Sequence, residues 1–135
     1  MAKSLWLERV GTGSFVGHSS EGPSVKIGHA PDEFTPGDLL KLALAGCNAT
    51  SSDARFAAVL GDDYKSTIGV SGDWDAETDR FTHMDIEIVT DLTNLSDEEL
   101  ATLERRVRAA IERRCTISHT LNQGMTDSLV ITSEG

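Results

Sequence analysis

Cys47 and Cys115 are the two thiols of this 135-residue chain, and thiol chemistry is what its residues most directly offer. The thiolate, not the thiol, is the nucleophile, so reactivity turns on what lowers the pKa. Two readings stand side by side. Free cysteines are commonly buried and inert; two of them can also form a redox pair that closes and reopens a disulfide. A metal reading has no support, because there is no CxxC and no paired histidine spacing, and His18, His29 and His83 show none either. Cys115 directly follows Arg113 and Arg114, whose charge favours a thiolate, yet it stands near a helix C-terminus, whose dipole opposes one. Cys47 lies mid-helix and gains nothing from a helix N-terminus. Its activation would have to come from elsewhere in the fold.

Other polar groupings carry less. Asp85 and Glu87 share the wet face of a strand, where such charges are ordinary. Gly11-Thr12-Gly13 is a turn and not a nucleotide loop: no third glycine stands at the required spacing and a strand follows it. The formal net charge of −10 argues against nucleic acid and anionic membranes, which need a basic footprint. The opening MAKSLWLERVG is too short and too polar for a signal peptide, and no apolar run approaches the ~20 residues of a membrane span. A cytoplasmic location is the expectation, and a reducing compartment would not maintain a structural disulfide. The length fits a single domain over residues 1–135, with 39% hydrophobic residues to build its core.

The elements that must position the thiols are legible in order. Leu5 to Val10 and Ser14 to Ser19 read as a hairpin, and Val25 and Ile27 mark a third strand closed by Gly28. Thr35-Pro36 opens a helix that Gly61 ends, and Asp38 stands where a shortened capping box needs it. Between Leu39 and Cys47 this helix is apolar on nearly every face, which predicts burial at the centre of the core. Lys65 to about Asp75 and Phe81 to Asp91 alternate as strands. Ser96 and Glu99 cap a second helix with an apolar stripe at Leu100, Leu103, Val107 and Ala110/Ile111. Its arginines are interspersed with Glu104 and Glu112, as on a solvated face. A short helical turn is expected over Ile117 to Leu121 and a last strand over Ser128 to Thr132. The order predicts an α+β fold with mostly antiparallel sheet. The central helix is more apolar than one small meander is expected to cover, which points to a dimer that shares the core.

The text PGDLLKLALAGCNATSSD resembles the first cysteine region of the OsmC/Ohr family, and RRCTISHTL resembles its second. GTGSFVGHSSEG is similar to the first hairpin of OsmC-like members. The resemblance covers essentially the whole chain. It implies an intertwined homodimer of α+β subunits, built of mostly antiparallel sheets around a buried central helix, with the cysteines meeting near the subunit interface. It further implies reduction of organic hydroperoxides: Cys47 as the peroxidatic thiol, Cys115 as the resolving thiol, and a dithiol reductant as co-substrate with no cofactor. An apolar pocket favours an organic hydroperoxide over hydrogen peroxide.

Departures from that pattern bear on activation. The family's peroxidases pair a glutamate, about ten residues before the first cysteine, with an arginine from the N-terminal strands. The matching positions here hold Gly37 and Glu21. Asp38, beside Gly37, is a candidate auxiliary whose simpler role is helix capping. Arg9 is the nearest early arginine and a candidate substitute, or a surface residue. Thr116 replaces a common proline. His119, four residues after Cys115, could act as its base, although an electrostatic role or plain exposure is the simpler reading. The chain therefore resembles an OsmC-like member outside the Ohr group. A thiol peroxidase and a non-catalytic protein holding an apolar ligand at the dimer interface both remain open.

Overall fold

The computed structural model describes residues 3–135. Its elements follow as β1 (Leu5–Gly11), β2 (Ser14–Ser19), β3 (Ser24–Ile27), α1 (Pro36–Leu60), β4 (Ser66–Asp75), β5 (Arg80–Thr90), α2 (Asp97–Arg114) and α3 (Thr116–Gln123). β1–β2–β3 form an antiparallel sheet, and β4–β5 form a two-stranded one. This is the expected α+β architecture. Contacts divide the chain into two compact units: one holds the chain up to Ala43 with Val70–Asp85, the other Leu44–Gly69 with Ile86–Gly135.

In the first unit Leu5 pairs with Ser19 and Arg9 with Phe15, and the ladder shifts register between Arg9 and Gly11. Gly13 takes φ 67° in the hairpin turn, a conformation that other residues rarely adopt. A side chain at Gly17 would meet Leu7, Val25 and Ile27 at 3.2–3.4 Å, so the sheet's apolar residues close over a glycine. α1 starts here by reciprocal capping. The Asp38 N–H donates to Thr35 Oγ1 and the Thr35 N–H donates to Asp38 Oδ2, both at 3.0 Å. The ring of Phe81 lies against Gly37 and Gly72, with the Lys41 ammonium 5.1 Å from its centroid.

The second unit has its own core. Phe56, Leu103 and Val107 are buried together, with Leu60, Tyr64, Ile88, Leu92, Leu95 and Ile111 packed against them. The Phe56 and Tyr64 rings stack with centroids 5.7 Å apart. α2 is placed by the expected capping box between Ser96 and Glu99. Its buried stripe is Leu103, Val107 and Ala110, the spacing that presents one helical face.

The fold corrects three expectations. Ser128 to Thr132 is not a strand: residues 124–135 form no regular element, and Leu129, Val130 and Ile131 are more than 80% exposed. A run of apolar, β-branched residues becomes a strand only where a partner edge takes up its backbone groups. The expected turn at Ile117 to Leu121 is the longer helix α3, because Cys115 caps it. α1 is not enclosed on nearly every face. Leu44 and Ala45 are buried, but Leu40 and Leu42 are exposed, because this one chain covers one side of the helix.

Candidate active site

The two thiols, 68 positions apart in sequence, meet within the second unit. Cys47 projects from α1 and is half-buried; Cys115 is wholly buried at the joint between α2 and α3. That joint is economical of residues. The Cys115 N–H donates to Ile111 O at 2.9 Å and closes α2, while its sulfur accepts the Ser118 N–H at 3.4 Å and caps α3. One residue thus ends one helix and begins the next, which leaves its side chain no freedom to face solvent.

The chain direction at this joint supplies what Cys47 lacks in sequence. Burial alone would push its thiol up. The backbone N–H of Ile117, the Cys115 thiol, the Ser51 hydroxyl and the Thr116 N–H stand near it, favour its charged form and more than offset burial, so its pKa is lowered. The activating groups are therefore the first free N–H groups of α3 and two small side chains, with no guanidinium among them. For Cys115 the balance runs the other way. Burial pushes its thiol up, and so does its hydrogen bond to Cys47. Asn48 Oδ1, 3.2 Å from the Cys115 sulfur, is the alternative acceptor for that single proton.

A groove of about 720 Å³ opens in the same unit, walled by Ile86, Ile88, Leu103 and Val107 and reaching Asn48 and Ser118, the two residues bonded to Cys115. Its walls come from β5 and α2, and its depth comes from the apolar stripes that the sequence displays.

The remaining candidates fall elsewhere. Asp38 is occupied as the capping partner of Thr35, whose backbone N–H holds its carboxyl below the usual range. Arg9 is exposed on β1. His119 is exposed, and its Nε2 donates to Glu112 O at 2.6 Å, which turns that nitrogen away from Cys115. Arg113 and Arg114 are exposed. Gly37 stands where the resemblance calls for glutamate, and even a β-carbon there would press on Phe81 Cζ at 3.2 Å. The space is filled by an aromatic ring. Sequence reasoning missed Asn48, Ser51 and the α3 N–H groups. Asn48 adjoins Cys47 in the chain, but nothing in that adjacency signals a contact 67 residues away.

The fold and the site together define a small α+β protein with two neighbouring thiols, one pKa lowered and the other raised, near a groove with apolar walls and a charged rim. The chain belongs to the OsmC-like protein family, whose pattern matches residues 28–129. An uncharacterised protein of Mycobacterium tuberculosis is 38% identical over 133 residues, 97% of each chain. Among solved structures, an OsmC-like protein from Mycoplasma pneumoniae superposes with a TM-score of 0.66 at 16% identity, covering 90% of this chain and 88% of the other. The organic hydroperoxide resistance protein OhrB of Bacillus subtilis superposes with a TM-score of 0.52 at 19% identity, over 89% and 90%. At those identities the likeness is one of fold. Among the described residues no helix is long and apolar enough to cross a membrane.

Proposed function

We propose that this OsmC-like protein is a thiol-dependent peroxidase that reduces organic hydroperoxides in oxidative stress defence, as a cytoplasmic homodimer with a dithiol reductant. The observation that carries the reading is the pairing of a thiol of lowered pKa, Cys47, with a neighbouring thiol of raised pKa, Cys115. That division suits an attacking and a resolving thiol. The Cys47 thiolate attacks the peroxide; the O–O bond breaks, an S–O bond forms, and the alkoxide takes a proton from the medium to leave as alcohol. Cys115 then attacks the sulfenic sulfur; an S–S bond forms, and the hydroxyl departs with the Cys115 proton as water. A dithiol reduces the disulfide by exchange. The groove beside the pair offers an apolar surface for the organic tail. A structural relative named for organic hydroperoxide resistance is consistent with this chemistry.

Mutants separate the roles. Cys47→Ser abolishes consumption of cumene hydroperoxide with a dithiol present. Cys115→Ser reacts once and leaves a sulfenic acid on Cys47, trappable by dimedone and open to over-oxidation. If the wild type, given one equivalent of peroxide, yields neither the intramolecular disulfide nor an adduct on Cys47, the peroxidase reading is lost. The second reading, an apolar-ligand protein without turnover, draws on the groove and on Gly37 and Glu21 at the places of the family's charged pair. Ligand binding that survives Cys47→Ser with no peroxide consumption in the wild type would favour it.

A further inference from the structure

Cys115 carries one proton and has two acceptors near it, Cys47 and Asn48. Its sulfur is held from three sides. The Ser118 N–H occupies one lone pair at 3.4 Å, the S–H points to Asn48 Oδ1 at 3.2 Å, and Cβ belongs to the backbone joint of two helices. The sulfur so held stands beside Cys47, with the Ile117 N–H also near it. The backbone of Asn48 is fixed within α1. Ser52, wholly buried, donates its hydroxyl to the Asn48 carbonyl at 2.8 Å, one helical turn on. An amide oxygen accepts a hydrogen bond but does not take a proton at neutral pH, so this contact orients the thiol without deprotonating it.

We propose that Asn48 is the positioning residue of the resolving step: its side-chain oxygen receives the Cys115 S–H and holds the sulfur in place beside Cys47. The assignment rests on the two-thiol reading above and adds to it the group that sets the geometry of closure. Before oxidation the proton stays on Cys115 and the Cys47 thiolate is the single nucleophile of the pair. Once Cys47 is a sulfenic acid, Cys115 attacks its sulfur, the S–O bond breaks as the S–S bond forms, and the Cys115 proton leaves with the hydroxyl as water. Oxidant and reductant are those already named, the hydroperoxide and the dithiol. The titratable group facing Cys115 is Cys47 on α1; His119 on α3 directs its Nε2 to the Glu112 carbonyl.

The test uses the full chain with Asn48→Asp, nearly isosteric but charged, and Asn48→Ala, helix-compatible and lacking the acceptor. After one equivalent of cumene hydroperoxide, Asn48→Ala lowers the rate of disulfide closure by a larger factor than it lowers sulfenic acid formation on Cys47. Disulfide closure slows about tenfold at neutral pH in Asn48→Asp, because a like charge within ~4–6 Å disfavours the thiolate. The pH profile of closure moves up in Asn48→Asp and down in Asn48→Ala, opposite displacements that a packing defect does not produce. Closure at the wild-type rate with an unmoved profile in both variants overturns the assignment. So does an equal loss of sulfenic acid formation and closure in Asn48→Ala. A readout free of peroxide separates this from the peroxidase reading: in a Cys47→Ser background, thiolate absorbance of Cys115 titrates at higher pH with Asp at 48 than with Asn. That result supports the contact even if Cys47 never reacts with peroxide, and an unchanged titration refutes it even if Cys47 does.

Discussion

The Cys115 sulfur lies 3.2 Å from the side-chain oxygen of Asn48, the residue covalently next to Cys47, and its own backbone begins the helix whose first N–H groups lie near Cys47. The two thiols are thereby unequal before any substrate arrives. Proximity alone would have made them interchangeable; the direction of α3 makes one of them the better anion.

Activation by backbone leads to a prediction at Thr116. Proline is compatible with the first position of α3, and Cys115, at φ −80° and ψ 91°, already has the extended conformation a following proline requires. Thr116→Pro therefore keeps the helix and deletes one donor to Cys47. Removing a bond to the charged form raises the thiol pKa. The peroxide reaction at neutral pH should slow by about two- to tenfold, the range one net hydrogen bond of about 0.5–1.5 kcal/mol covers. Arg9→Ala should alter the pH profile of Cys47 alkylation only slightly. A large upward move of that profile in Arg9→Ala would instead make the arginine the activator.

Gly37 is a packing position. Replacing an exposed helical glycine with alanine ordinarily stabilises by about 1 kcal/mol. Here the new β-carbon meets Phe81 at 3.2 Å, so Gly37→Ala should give less than that gain. Gly37→Glu should destabilise by about 1–3 kcal/mol, read by denaturant unfolding. The gain should return when Gly37→Ala is combined with Phe81→Leu. No such recovery would mean that Phe81 is not what limits the position.

Tyr64 should titrate far from the ordinary phenol. Burial first, then the hydrogen bond its hydroxyl donates to Asp53 and that residue's charge, push its pKa up from 10.0 to about 12. A raised folded pKa means stability that is fully present below the unfolded value and lost as pH rises through the folded one. Unfolding free energy should therefore fall between about pH 10 and 12. Tyr64→Phe should remove that slope. Spectrophotometric titration of the single tyrosine gives the same midpoint directly.

Leu5, Leu7 and Val10 are exposed on β1, as are Leu129, Val130 and Ile131 in the final segment. Side chains of this kind are what burial between two copies of the chain would cover. Light scattering at micromolar concentration should give twice the chain mass. Leu129→Asp combined with Ile131→Asp should shift the population towards monomer. A well-folded wild-type monomer under those conditions would end the dimer proposal.

What sequence alone determined here is local. Thr35 with Asp38 and Ser96 with Glu99 declare their helix starts because capping partners lie three residues apart. The hairpin at Gly11 to Ser14 and the stripe Leu103, Val107, Ala110 are equally legible, since period and turn chemistry act over a few residues. The two cysteine texts named the candidate thiols and the family. Tertiary structure decided the rest. Cys47 acquires its acidity from the end of a helix 69 residues further on, and no spacing rule reaches that far. Ser128 to Thr132 has a strand's apolar, β-branched composition but pairs with no strand among the described residues, so its composition predicted an element that it does not form. Hydrogen bonding and burial are properties of position in space, and the chain reveals them only once it is folded.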